Sequence, residues 1–184
     1  MTRLPVLILI ACSLLLSAGC SHMQAQDYQG QQPPLVLEEY FLGELQAWGM
    51  FQNRRGEVKR RFRVDIDGRM EGDELVLQED FVYADGERQQ RIWRIHRLDE
   101  HHYEGRADDV VGVARGAQYG NALNWEYKLR LEVGGKHYVV HFDDWMFLQD
   151  ERVMINRATM RKWGIRLGEV TLVFVKTDPG TTAP

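Results

Sequence analysis

The stretch ALNWEYKLRLEV, residues 122–133, sets Leu123, Trp125, Tyr127, Leu129, Leu131 and Val133 in strict alternation with Asn124, Glu126, Lys128, Arg130 and Glu132. A period of two belongs to a strand with one buried face and one wet face. Gly134-Gly135 supplies a turn, and the chain returns through YVVHFDDWMFLQDERVMINRATM, residues 138–160. That stretch is itself a hairpin pattern: an apolar strand ending in Trp145-Met146-Phe147, a polar turn at residues 149–152, and a return strand from Val153.

Outward from this pair the same alternation recurs. Residues 45–52 read as a first strand, followed by the turn Asn53-Arg54-Arg55-Gly56. In residues 58–66, Val58, Phe62, Val64 and Ile66 share a face with Arg60. Residues 74–83, the turn Ala84-Asp85-Gly86 and residues 89–98 form another hairpin pattern, carrying Trp93 and Ile95. Weaker strands at 102–107 and 110–117 end at Gly120-Asn121, a tight-turn pair, and 170–175 closes the series. Gly112, Gly116 and Gly120 recur with Ala114, a pattern of close packing or wall curvature. Residues 35–43 fit a short N-terminal helix with Leu37, Tyr40 and Phe41 on one side.

About ten short strands, with turn signals every 8–12 residues or so, predict an all-β fold. Sequential hairpins without a long crossover favour an antiparallel up-and-down β-barrel of calycin or lipocalin-like type, whose closure removes exposed edges. Barrels of about eight strands have room for one small ligand. A lipid-facing outer band is excluded, because Lys128, Arg130 and Glu132 occupy it.

The two ends carry different signals. Residues 1–19 hold one basic residue, Arg3, an apolar run from Leu4 to Leu16 and small residues before Cys20, which reads as an export signal. Ser17-Ala18-Gly19-Cys20 resembles a bacterial lipobox, with Ser17 standing where leucine is usual, so Cys20 is the expected lipidation site. Residues 20–34, Gln-rich and closed by Pro33-Pro34, read as a flexible tether, residues 35–176 as the barrel domain, and 177–184 as a disordered tail. The expectation is a monomeric outer-membrane lipoprotein facing the periplasm, held by its N-terminal lipid. Of the two cysteines, Cys12 leaves with the signal and Cys20 carries the lipid, so no thiol remains for a disulfide. The formal net charge of −4 argues against nucleic acid as a partner.

The residue inventory narrows the chemistry. The serines are Ser13, Ser17 and Ser21, so the globular part keeps neither Ser nor Cys for nucleophilic catalysis. His137 and His141 lie four apart on a strand, about 13 Å, too far to share a metal. His141 with Asp143 offers two ligands, short of a stable site. No metal and no cofactor is expected. Adjacent carboxylates such as Asp143-Asp144 point to opposite faces of a strand, so one faces the interior and requires a partner, for which Arg157 is the candidate. The tryptophans Trp48, Trp93, Trp125, Trp145 and Trp163 read mostly as core, with two or three available to wall a cavity.

FDDWM (142–146) and NRATM (156–160), with GNALNW (120–125) and DVVG (109–112), resemble DUF3833, a family of uncharacterised bacterial lipoproteins. The resemblance covers residues 35–176 and the signal, and implies location and domain extent but no activity. The Gly-x-Trp signature of true lipocalins is absent.

These readings favour a binding role over catalysis: a lipid, fatty acid or other small amphiphile held inside the barrel. Trp93, Trp125, Tyr127 and Trp145 would pack on its apolar body, Asn156 and Arg157 would hold a carboxylate or phosphate head, and Asp144 would orient Arg157. Two other classes stay open: an envelope structural or assembly factor, and an acid–base enzyme using carboxylate and histidine.

Overall fold

The computed structural model describes residues 22–177. The signal, Cys20 and residues 178–184 lie outside them. A 3₁₀ turn (Ala25–Tyr28) and helix α1 (Leu37–Phe41) precede ten strands: β1 (Gly43–Asn53), β2 (Val58–Glu71), β3 (Glu74–Tyr83), β4 (Arg88–Arg97), β5 (His102–Arg106), β6 (Ala114–Tyr119), β7 (Ala122–Val133), β8 (Lys136–Leu148), β9 (Val153–Lys162) and β10 (Ile165–Lys176). Every strand pairs antiparallel with its sequence neighbours. β1 then closes the wall on β10, with Leu45 opposite Lys176 and Asn53 opposite Gly168. The result is the up-and-down barrel that the alternation predicts.

The alternation decides what faces in. On β7, Leu123, Trp125, Tyr127 and Leu129 are buried while Glu126, Lys128 and Arg130 are exposed. On β2, Val64, Ile66 and Gly68 line the inside. Gly68 is needed there because a Cβ would collide with the carbonyl of Phe41 at the end of α1. The helix thereby corks one end of the barrel. Tyr40 donates its hydroxyl to the carbonyls of Arg152 (3.1 Å) and Phe174 (3.3 Å), and Phe41 meets Phe174 edge-on at 5.6 Å. Gln118 Oε1 accepts from the Leu37 amide at 3.2 Å.

The opposite end carries the turns after β1, β3, β7 and β9 and forms the mouth. Trp163 occupies the last of these turns with φ 51° and is 88% exposed. Trp48 lies on the outer wall, 48% exposed. These two tryptophans stand outside the core, where most of the tryptophans are expected, since Trp163 is a turn residue and Trp48 sits on the outward register of β1.

One part of the wall is short. β5 and β6 have 5 and 6 residues against 10 and 12 for β4 and β7. Residues 110–113, expected to open a strand, are loop instead. That loop replaces the missing wall: Val111 donates to the Lys128 carbonyl and Arg130 to the Asp109 carbonyl, both at 2.8 Å, and Val110 bridges Leu129. The three recurrent glycines therefore do different work. Gly116 lies under the indole of Trp125, where a Cβ would clash, Gly120 turns at φ 53° against the Tyr28 carbonyl, and Gly112 belongs to the loop.

The expected flexible tether is corrected over residues 22–34. Ala25 is 4% exposed, and the Tyr28 ring lies 5.8 Å from Trp145 and 5.2 Å from Phe147. The Leu35 amide donates to the Gly120 carbonyl at 2.8 Å. The cause is the outer face of β8, whose Trp145 and Phe147 form an apolar patch that this segment covers.

Candidate functional site

Between the cork and the mouth lies a cavity of about 640 Å³, within the usual span of small-molecule pockets. Its walls are mainly apolar, with Phe81, Trp93, Trp125, Phe142, Met160 and Leu172 among them. Trp93 meets Trp125 at 5.8 Å and Tyr127 at 5.4 Å, both edge-on, while Tyr127 stacks on Phe142 at 5.1 Å with a 7° interplanar angle. These contacts fix the rings as rigid walls.

A polar cluster interrupts this surface beside the short part of the wall. Glu79 on β3 sits directly across from Arg91 on β4. Arg91 reaches sideways to the loop and forks onto Asp109, with Nε 2.9 Å and Nη2 2.8 Å from Oδ2. Its Nη1 stands 3.7 Å from Glu79 Oε2, an ion-pair distance rather than a hydrogen bond. From the β8 side comes Asp144, 6% exposed, whose Oδ2 accepts the Tyr127 hydroxyl at 3.2 Å. Glu79 Oε2 and Asp144 Oδ1 have no hydrogen-bond partner among the described residues.

Burial pushes Glu79 up to about 7, against the pull of Arg91. Burial likewise pushes Asp144 up to about 7, opposed by the Tyr127 hydrogen bond and by Arg91. Burial works against the charge of Arg91, but Glu79 and Asp109 more than offset it, and its guanidinium is held above the ordinary arginine range. Burial raises the Tyr127 hydroxyl, and Asp144 adds to that. At neutral pH the cluster thus holds one firm cation and two carboxyls near their titration midpoints.

Of the residues singled out by sequence, Trp93, Trp125, Tyr127, Asp144 and Asn156 line this cavity. Asn156 is 2% exposed and donates to the Trp145 carbonyl at 3.4 Å. Trp145 and Arg157 do not join them. The two sit opposite each other in register, both on the outer face, where Trp145 lies under Tyr28. The Arg157 side chain is 59% exposed, with Nε 3.8 Å from Glu169 Oε2. Asp144 is in register with Ala158, so Arg157 cannot be its partner; Tyr127 and Arg91 take that place. Asp143 is the outward member of the carboxylate pair, bound by Asn124 (2.9 Å) and Arg161 (3.2 Å). His141 is also outside, 3.9 Å from Glu126, away from any cavity chemistry.

Comparison with known proteins places the chain. The model of DUF3833, described as a protein of unknown function, matches residues 14–176. The chain belongs to this family. No curated protein matches it at a significant level. Among solved structures, the S-type phycobiliprotein lyase CPES from Guillardia theta is similar, with a TM-score of 0.58, 7% identity, 85% of this chain covered and 99% of the lyase. At that identity the likeness concerns the fold, a lipocalin-like barrel. This DUF3833 member therefore has a lipocalin-like barrel with the Glu79–Arg91–Asp144 cluster on one side of its lumen.

Proposed function

We propose that this protein is a non-catalytic carrier or sensor of a small amphiphilic ligand, anchored to the outer membrane through a lipidated Cys20 and facing the periplasm as a monomer. The observation that carries the reading is the cavity of about 640 Å³, walled by Trp93, Trp125 and Tyr127 with a polar cluster on one side. An apolar body of lipid-like character fits the aromatic walls, and the polar cluster fits a head group. A purely structural role gains no support from such a lumen, because a scaffold barrel is filled by its own side chains. Acid–base catalysis has lost its histidine, since His141 lies on the outer face.

Native mass spectrometry of the chain from His22 onward, purified without detergent from its own cells, tests the binding. A co-purifying small molecule released by organic extraction is expected, and a protein that stays at its sequence mass with every candidate amphiphile overturns the reading. The anchor is tested separately by metabolic labelling with a palmitate analogue, in which label undiminished by Cys20→Ala counts against lipidation.

A further inference from the structure

Resting on the binding reading above, we infer that the cavity selects ligands whose polar end donates hydrogen bonds, an O–H or N–H group, and discriminates against carboxylate and phosphate heads. The argument is an inventory of hydrogen-bonding capacity at the polar cluster. Its cation faces carboxylates on both sides: Arg91 gives Nε and Nη2 to Asp109, and its Nη1 stands in ion-pair contact with Glu79, which the Trp93 indole N–H also approaches. Its hydroxyl is committed, because Tyr127 donates to Asp144 Oδ2. The amide of Asn156 donates to a backbone carbonyl. Two acceptors are left without a hydrogen-bond donor, Asp144 Oδ1 and Glu79 Oε2, on two residues that line the lumen, and Asp144 is 6% exposed.

A buried acceptor without a donor is costly, whereas supplying the donor recovers a hydrogen bond to a group of anionic character. A ligand hydroxyl, amide or amine supplies it. A carboxylate or phosphate brings more acceptors against two unpartnered carboxyl oxygens, so like charge and desolvation both oppose it. This reverses the head-group chemistry that an inward Arg157 would have implied. A primary amine gains further from the charge of the carboxyls, while an alcohol gains from the hydrogen bond alone, so the two donors differ in kind but share the contact.

The test holds the apolar body constant and varies the head. The full chain in phosphatidylcholine nanodiscs is titrated calorimetrically with dodecanol, dodecylamine, dodecanoate and dodecane, with empty nanodiscs as the blank. Dodecanol and dodecylamine are expected to bind at least about tenfold more tightly than dodecanoate, which corresponds to one hydrogen bond to a charged group. In the Glu79→Gln/Asp144→Asn variant the ratio is expected to fall to within about threefold, while dodecane binding persists and shows the lumen intact. Dodecanoate binding as tightly as the donors, or a ratio unchanged in the variant, overturns the inference and leaves the binding reading standing. Failure of all four probes overturns the binding reading itself. If the double variant does not fold, the wild-type ranking decides alone.

Discussion

Tyr127 reaches diagonally from β7 to β8 and gives Asp144 its hydroxyl hydrogen bond, at 3.2 Å to Oδ2. That bond pulls the Asp144 pKa down against burial. Tyr127→Phe leaves both carboxyl oxygens without a donor, so the Asp144 pKa is expected to move further up. The stability cost is about 1–3 kcal/mol, the range for stranding a buried acceptor. Carboxyl carbon NMR across a pH series, with urea unfolding alongside, checks both; a lowered pKa would contradict the assignment.

Stability should fall as pH rises towards neutrality. Glu79 and Asp144 have folded values of about 7 against ordinary values of 4.5 and 3.8, so between those limits the folded chain binds more protons than the unfolded one. Their contribution is fully present below the ordinary values and is lost as pH rises through about 7. The urea midpoint is expected to decline from about pH 5 to pH 8, and Glu79→Gln/Asp144→Asn to flatten that decline. Parallel slopes for wild type and variant would disprove the attribution.

The Arg91–Asp109 fork ties the loop to the wall where β5 and β6 are too short to fill it. Asp109→Ala leaves the largely buried Arg91 side chain with Glu79 as its remaining counter-ion. A loss of about 2 kcal/mol is expected from hydrogen bonds to a charged group. Amide exchange at Val111 and Arg130 should quicken in the same variant, because the hydrogen bonds between the loop and β7 depend on the loop staying down.

Gly116→Val should both destabilise the barrel and shrink its lumen. A Cβ at this position collides with the Trp125 indole, which can give way only towards the cavity or against Gly105. Overpacking of this kind costs about 1–3 kcal/mol. Thermal unfolding reads the first effect, and weakened binding of dodecane reads the second.

Arg157→Ala is expected to change almost nothing. The side chain is outside the wall in an exposed pairing with Glu169, and such substitutions stay within about 0.5 kcal/mol. Ligand affinity should match wild type in the calorimetric titration. A clear loss of binding would put Arg157 back in the lumen and contradict the register of β8 and β9.

The fold was legible because period-two alternation is a local signal, and in residues 122–133 it has no competing explanation. The inward faces followed from it, including those of Trp93, Trp125 and Tyr127. Arg91 and Glu79 were within reach of the same logic, since Arg91 shares parity with Trp93, and Glu79 with Leu77 and Phe81. No local signal marks them, because in sequence they stand on β3 and β4, far from Asp144, and only the closed wall brings them to it. Parity also decides against Arg157: it is odd-numbered on a strand whose inward residues, Asn156 and Ala158, are even. Asp109 was out of reach, because it arrives from a loop whose course depends on how short β5 and β6 turn out to be. The covering of Trp145 by Tyr28 is likewise a long-range event, and the composition of residues 21–34 gives no local sign of it.

The closing seam between β1 and β10 joins the first strand of the barrel to the last, residue 45 to residue 176. No shorter prefix of the chain can complete the wall. Until β10 is available, β1 and β9 present bare edges of the kind that pair with other chains. The seam also encloses the greatest length of chain of any pairing in the barrel, the type of contact that slows folding. Loss of β10, Ile165–Lys176, would thus do more than trim an end. It would turn a closed surface into an open, adhesive sheet, so the fate of this protein in the cell depends on its last strand arriving intact.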